Sequence, residues 1–161
     1  SAKHMDTVLH VLERLNAGRP GGRMRGPLHK VAEHFGRRGV LVVISDFYED
    51  PEEVVNAVTP LRFRGNDLVV FHVLDPAELE FPFEKPASFE DLETGERFPV
   101  VPEKLREEYR KVVRAHVAEV EKRLVGQRAE YTLLDTSRPL DLALFRYLLA
   151  RQKARTRRGT A

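Results

Sequence analysis

Two unbroken apolar runs constrain this chain more than any other feature: Val40-Leu41-Val42-Val43-Ile44 and Leu68-Val69-Val70-Phe71-His72-Val73. A continuous β-branched run of this kind is the pattern of a parallel strand buried on both faces. Between the two, Asp50-Pro51-Glu52-Glu53 reads as a helix start, with a cap, a first-turn proline and acids near the positive dipole end. Val54, Val55, Val58 and Leu61 form its apolar stripe, and Gly65-Asn66 turns the chain into the second run. A third strand is expected at Glu130-Tyr131-Thr132-Leu133-Leu134, after the longest helix, from about Glu103 to Leu124. Leu105, Tyr109, Val112, Val113, His116, Val117, Val120 and Leu124 recur there at helical spacing. A final helix is expected from Pro139 to about Gln152. Strand alternating with helix implies an α/β fold with a parallel sheet and right-handed crossovers.

The flanks follow the same logic. A first helix is expected from near Asp6, with Val8, Leu9, Val11, Leu12 and Leu15 on its apolar side, ending at Asn16-Ala17-Gly18. Pro27 suits the first turn of a second helix with Leu28, Val31, Ala32 and Phe35 on one face, closed by Gly36. Residues 81–101 read as an inserted β-hairpin. Phe89-Glu90-Asp91-Leu92 and Arg97-Phe98-Pro99-Val100 flank the turn Glu93-Thr94-Gly95-Glu96, and Phe89 or Phe98 is expected to be largely buried. The α/β domain is placed at 1–152, with a basic flexible tail at 153–161.

Composition removes several classes of function. The chain has no cysteine, which excludes a disulfide scaffold or a thiolate metal site. No apolar run approaches the roughly 18–20 residues of a bilayer span, and Ser1 to Met5 lacks a signal-peptide core. A cytoplasmic location without a membrane segment is expected. Net charge is only +2, but basic residues cluster in two places. Arg19, Arg23 and Arg25 lie among glycines, and Arg155, Arg157 and Arg158 lie in the tail. Such clusters can meet an anionic partner or remain solvated. No aromatic residue interleaves with the tail arginines, so nucleic acid is not an expected partner.

Each expected strand ends in an acid: Asp46 after Ile44-Ser45, Asp75 after Val73-Leu74, and Asp135 after Leu133-Leu134. Ligands of open parallel sheets bind outside the carboxyl ends of the strands. Three carboxylates there could hold magnesium, or could simply cap turns and helix starts. His72 and His116 fall on apolar elements, where a satisfied structural histidine is the expectation. Ser45 and Ser137 lack a nucleophile elbow, and the glycine-rich stretch from Gly18 to Gly26 meets neither a P-loop nor a dinucleotide fingerprint.

Val40 to Tyr48, with Ser45-Asp46 at the strand end, resembles the fourth strand of von Willebrand factor A domains. The run from Arg64 to Leu79, with Leu74-Asp75-Pro76-Ala77-Glu78-Leu79 at its close, resembles the bacterial family of unknown function labelled DUF58. So do Phe81-Pro82-Phe83, Phe89 to Gly95, and Leu134-Asp135-Thr136-Ser137-Arg138-Pro139-Leu140. The resemblance implies a Rossmann-like, A-type sheet, of which this chain is the carboxyl-terminal portion. It also implies protein partners, including a MoxR-type AAA+ ATPase.

The departures bear on chemistry. The family's adhesion site begins with an Asp-x-Ser-x-Ser motif that this sequence lacks. Its second element is a loop threonine, where this chain reads Gly21-Gly22-Arg23-Met24-Arg25-Gly26. Asp46 is the one remnant of that site, so neither a bound metal nor a cofactor is expected. The strand-end candidates are therefore Ser45, Asp46, Asp75, Asp135 and Thr136, read first as part of a non-enzymatic interaction module. The competing class is a magnesium-dependent phosphoryl-transfer or hydrolase site on the same acids. In the A-domain arrangement the Val40–Ile44 strand lies beside the first strand. If the chain is only this long, that strand becomes an edge with no charge or proline to blunt it, and is expected to recruit the upstream half of the parent protein or a second copy of this chain. A homo-oligomer, a dimer burying Val40 to Ile44 or the first two helices, is the expectation.

Overall fold

The computed structural model describes residues 2–14, 23–34, 38–62, 65–91 and 94–159. Helices α1 (Ala2–Glu13) and α2 (Arg25–His34) precede strand β1 (Val40–Ser45). Helix α3 (Pro51–Val58) and a 3-10 turn (Thr59–Arg62) lead to β2 (Asp67–Leu74) and the short α4 (Pro76–Glu80). Strands β3 (Ala87–Glu90) and β4 (Arg97–Val100) come next, then α5 (Pro102–Gly126), β5 (Glu130–Asp135) and α6 (Leu140–Gly159). β1, β2 and β5 form a three-stranded parallel sheet in that order, and β3 pairs antiparallel with β4 alone. The fold is thus a partial Rossmann-like α/β arrangement, as the alternation of strand and helix predicts.

Local chemistry sets the joints. Asp50 caps α3 by accepting a hydrogen bond from the Glu52 amide at 2.8 Å, ahead of the first-turn proline. The turn into β2 depends on Gly65, at a φ of 77° that favours glycine, and on the buried Asn66. The Asn66 side chain accepts from the Gly39 amide at 2.8 Å and donates to the Leu61 carbonyl at 2.9 Å. It therefore ties the entrance of β1 to the end of the 3-10 turn. Val40 lies opposite Asp67 and Val42 opposite Val69, while Phe71 lies opposite Thr132 on the other edge of β2.

One face of the sheet carries the main core. Leu41, Val43, Leu68 and Val70 pack there with Phe47, Val54, Val58 and Leu61, and with Val120 and Leu124 of α5. On the opposite face Val69, Phe71 and Leu134 form a smaller cluster under Tyr147 of α6, whose ring meets Phe71 at 5.2 Å. Arg151 of α6 pairs with Asp67 and Glu130 at 3.2 Å each, fastening that helix across the starts of β2 and β5.

Several expectations need correction. β1 is not buried on both faces, because Val40, Val42 and Ile44 are 53%, 52% and 67% exposed. The residues of α6 that join the core cluster over β2 and β5, and no described helix covers the same side of β1. Helix α1 starts before Asp6, and its Val8, Leu9, Val11 and Leu12 are exposed, so its stripe does not enter this core. Helix α2 starts at Arg25, so Pro27 does fall in its first turn, but of its apolar face Leu28 and Ala32 pack on the core and Val31 does not. Leu15, Asn16-Ala17-Gly18, Phe35 and Gly36 lie outside the described residues. Helix α6 runs on to Gly159, past the expected end near Gln152. No helix among the described residues is long and apolar enough to cross a membrane.

The hairpin forms, but a different phenylalanine anchors it. Phe98 is 51% exposed and Phe89 half-buried, whereas Phe81 is buried. Phe81 stacks on Phe89 at 5.8 Å and meets Tyr109 of α5 at 4.6 Å. Arg110 donates to the Glu80 carbonyl at 2.6 Å and Arg106 to the Phe83 carbonyl at 2.5 Å, which holds this segment against α5. Truncating Phe81 to alanine should destabilise the fold by about 3–5 kcal/mol. Phe98→Ala should cost under about 1 kcal/mol. Urea unfolding of the two variants checks the contrast, and equal losses would refute this assignment of the anchor.

Candidate functional site

The parallel sheet brings all three strand-end acids to one end of the molecule, as expected, but most are already engaged. Asp75 caps α4 in a reciprocal capping box. Its Oδ1 accepts from the Ala77 amide at 2.8 Å, and the Glu78 side chain accepts from the Asp75 amide at 2.7 Å. Asp75 Oδ2 accepts the Thr136 hydroxyl at 2.8 Å, and the Thr136 amide donates to the Leu74 carbonyl at 3.1 Å. β2 and β5 are thereby latched beyond their last ladder bonds. Asp135 turns instead toward its own loop, accepting the Ser137 amide at 2.9 Å and the Ser137 hydroxyl at 2.7 Å. These bonds, with Arg138 nearby, hold its carboxyl below the usual aspartate range.

Asp46 is different. It is exposed, and its carboxylate meets the Ser45 hydroxyl only at 3.4 Å. The turn that presents it is held through the main chain. His72 on β2 is fully buried and donates from Nε2 to the Asp46 carbonyl at 2.7 Å. A carbonyl only accepts, so Nε2 carries the proton, and Nδ1 of the neutral ring accepts the Tyr131 hydroxyl at 2.8 Å. His116 on α5 donates from Nε2 to the Phe47 carbonyl at 2.7 Å. Phe47 has a left-handed φ of 50°, and its fully buried ring packs edge-on against His72 at 5.2 Å. Tyr48 follows, largely exposed, with its hydroxyl hydrogen-bonded to Glu78. Both histidines are structural, as their apolar settings predict. The roles of Phe47 and Tyr48 went unread, although an aromatic pair directly after a strand-end Ser-Asp was a usable signal.

A cleft of about 520 Å³ opens beside this turn, between Ser45-Asp46 and the start of α2 at Met24 and Leu28. The Met24 amide donates to Glu49 at 2.7 Å, and Arg23 meets Glu53 at 3.4 Å. Arg23 and Met24 of the stretch without hydroxyls therefore lie across from Asp46, and bring a guanidinium and a thioether to the cleft. Among the described residues, no group of three or more histidines and acids is placed to hold a metal ion. Of the basic clusters, Arg23 and Arg25 lie at the start of α2. Arg19 and the side chains of Arg155, Arg157 and Arg158 lie outside the described residues.

This chain belongs to the family described as "Protein of unknown function DUF58", whose model matches residues 1–119. It is similar to the "Uncharacterized protein Rv1480" of Mycobacterium tuberculosis, at 26% identity over 157 residues, covering 94% of this chain and 48% of that protein. The "Uncharacterized protein Mb1516" of Mycobacterium bovis matches to the same extent. The "Uncharacterized protein MAV169" of Mycobacterium avium is 29% identical over 120 residues, covering 73% of this chain and 69% of that protein. The chain spans about half the length of the first two relatives. No solved structure matches significantly.

The buried His72 gives a pH signature. Burial is the main cause that lowers its pKa, so the unfolded chain takes up a proton at higher pH than the native one. Stability from this group is present above the unfolded value of about 6.5 and declines as pH falls through it. Urea midpoints from pH 7.5 down to 5.5 should fall, and His72→Gln should flatten that slope. An unchanged slope in His72→Gln would remove His72 as its source.

Proposed function

We propose that this chain is a non-enzymatic protein-interaction module that docks partners at the carboxyl end of its sheet. One observation carries the reading: Asp75 and Asp135 spend their carboxylates on helix-cap, hydroxyl and loop bonds, while Asp46 and Tyr48 stand exposed on a rigidly braced turn. Such a surface presents an acid and an aromatic ring to a partner, and exposed aromatics are frequent anchors of protein interfaces. A nucleophile paired with a base is not part of it. The resemblance to A-domain proteins that work with MoxR-type AAA+ ATPases supplies the partner class.

Calorimetric titration with a MoxR-type ATPase from the same genome tests the reading. Saturable binding is expected, weakened about tenfold or more by Tyr48→Ala, or roughly 1.4 kcal/mol. Absence of binding, or binding indifferent to Tyr48, would count against it. The magnesium-dependent alternative calls for several oxygen ligands, and among the described residues no group of three or more acids and histidines is placed to hold a metal ion. Millimolar magnesium should accordingly leave the melting temperature unmoved. A rise abolished by Asp46→Ala would favour the enzymatic reading and overturn this one.

A further inference from the structure

We infer that the amino end of the sheet, through Arg38, Arg62 and Arg128, binds phosphate groups on a ligand that carries two or more of them. The carboxyl-end docking surface lies at the opposite end of the strands and shares none of these residues.

The parallel sheet that gathers an acid after each strand also gathers an arginine before each one. Arg38 stands just ahead of β1, Arg62 closes the 3-10 turn that leads into β2, and Arg128 stands just ahead of β5. Contacts between these loops hold the three together. The Arg38 side chain runs beside Gly65, where an added Cβ would meet its Cδ at 3.9 Å. The Gly65 amide donates to the Arg62 carbonyl at 3.1 Å. Arg62 in turn donates from Nη1 to the Gln127 carbonyl at 2.6 Å, next to Arg128. Neighbouring strands lie about 4.8 Å apart, so three adjacent strand starts span about 10 Å. β2 and β5 are laddered to each other within the described residues, so Arg62 and Arg128 are neighbours whatever lies beside β1.

The charge gathered there is not cancelled locally. Of the acids at this end, Asp67 and Glu130 are taken by Arg151, and Glu119 by both Lys122 and Arg123. Glu121 lies toward Tyr131. Among the described residues none of the three arginines is in an ion pair, and Arg38 and Arg128 are exposed. Arg62 spends one N–H on the carboxyl end of α5, and a guanidinium has five.

Arg128 carries a second sign of use. Its amide donates to the Val125 carbonyl at 2.8 Å and the Ala129 amide to the Leu124 carbonyl at 3.0 Å, closing α5 in a Schellman turn. The residue at that point is left-handed, with a φ of 59° here, and the backbone favours glycine. What an arginine adds at such a position is its side chain, and strain of this kind gathers where a side chain is used. The surroundings favour phosphate over other anions. Leu61, Leu68, Leu124 and Ala129 beside the arginines are buried, and the described residues there expose Gly65, Gln127 and the short Val125 but no aromatic ring. Protein partners gain most from aromatic anchors, and single-stranded bases from rings to stack on. A run of phosphates gains from charge and from guanidinium forks alone.

Titration calorimetry of the full chain at low ionic strength should show saturable binding of inorganic tripolyphosphate that weakens as salt is raised. Arg38→Ala and Arg128→Gly should each weaken it about tenfold or more. Lys111→Ala, on the exposed side of α5, should change it by less than about twofold. Arg128→Gly separates binding from folding. It relieves the turn, so the melting temperature should hold or rise while the affinity falls. Cosedimentation with vesicles of equal parts phosphatidylglycerol and phosphatidylcholine, lost in the same two variants, would name a lipid headgroup as the source of the phosphate. Binding of tripolyphosphate without the vesicles would name a free phosphate chain, and either result supports the inference. Binding of neither probe overturns it, as does binding indifferent to Arg38→Ala and Arg128→Gly. Tighter binding of polyglutamate or of duplex DNA than of both phosphate probes would assign the face to an acidic protein or to nucleic acid, and overturns it too.

Discussion

Strand β2 is the element on which the rest depends. It is laddered to β1 on one edge and to β5 on the other, and it is buried on both faces from Leu68 to His72. A strand in that position has no solvent to satisfy its main chain, so both neighbours must hold register or the ladder fails. Each layer of the molecule is then fixed by what packs on β2. Leu68 and Val70 seat α3 and α5, Val69 and Phe71 seat α6, and His72 reaches past the end of the ladder to hold the neighbouring turn. The same parity rule that splits the two cores also places the polar contact. His72 shares the face of Leu68 and Val70, which is why it meets Phe47, Tyr131 and His116 there.

The carboxyl end shows how backbone needs compete with ligand chemistry. An acid at a strand end that starts a helix finds free amides within one turn, and a short side chain reaches them at little entropic cost. Asp75 takes that route and Asp135 accepts a turn amide from Ser137, and each adds a hydroxyl, from Thr136 and from Ser137. Asp46 cannot take it, because the next residue bends into a left-handed conformation and sends the chain away before α3 begins at Pro51. The carboxylate is left outward while the carbonyls of Asp46 and Phe47 are clamped inward by two imidazoles. The strain of a non-glycine residue at positive φ is offset by burying the Phe47 ring.

Much of this was legible in the sequence where local pattern and long-range packing agree. The β-branched runs, the Asp50-Pro51 cap and the Gly65-Asn66 turn each fall where expected, because propensity, capping and burial point the same way there. The strand-end positions of Asp46, Asp75 and Asp135 were equally readable, since a parallel sheet must place its carboxyl ends together. Capping by Asp75 and Asp135 was one of the two readings the sequence offered, whereas the Thr136 latch onto Asp75 was not readable, because it spans 61 positions of sequence. The burial of Phe81 in place of Phe98 was hidden for the same reason. The sequence shows four nearby phenylalanines, and only the packing against Tyr109 of α5 chooses among them. For β1, apolar composition implies burial on both faces, but composition states what a strand tolerates, not which layers are present to cover it.

That last distinction separates two kinds of exposed apolar surface here. Phe98 sits on a two-stranded hairpin whose strand is laddered to β3 along one edge. A single exposed ring of that kind is ordinary for a folded protein. On β1 the exposed side chains of Val40, Val42 and Ile44 coincide with an edge that no described strand ladders. Water can serve the amides, but it cannot do so without also wetting the valines and isoleucine beside them. Along β1, apolar exposure and an open ladder coincide among the described residues.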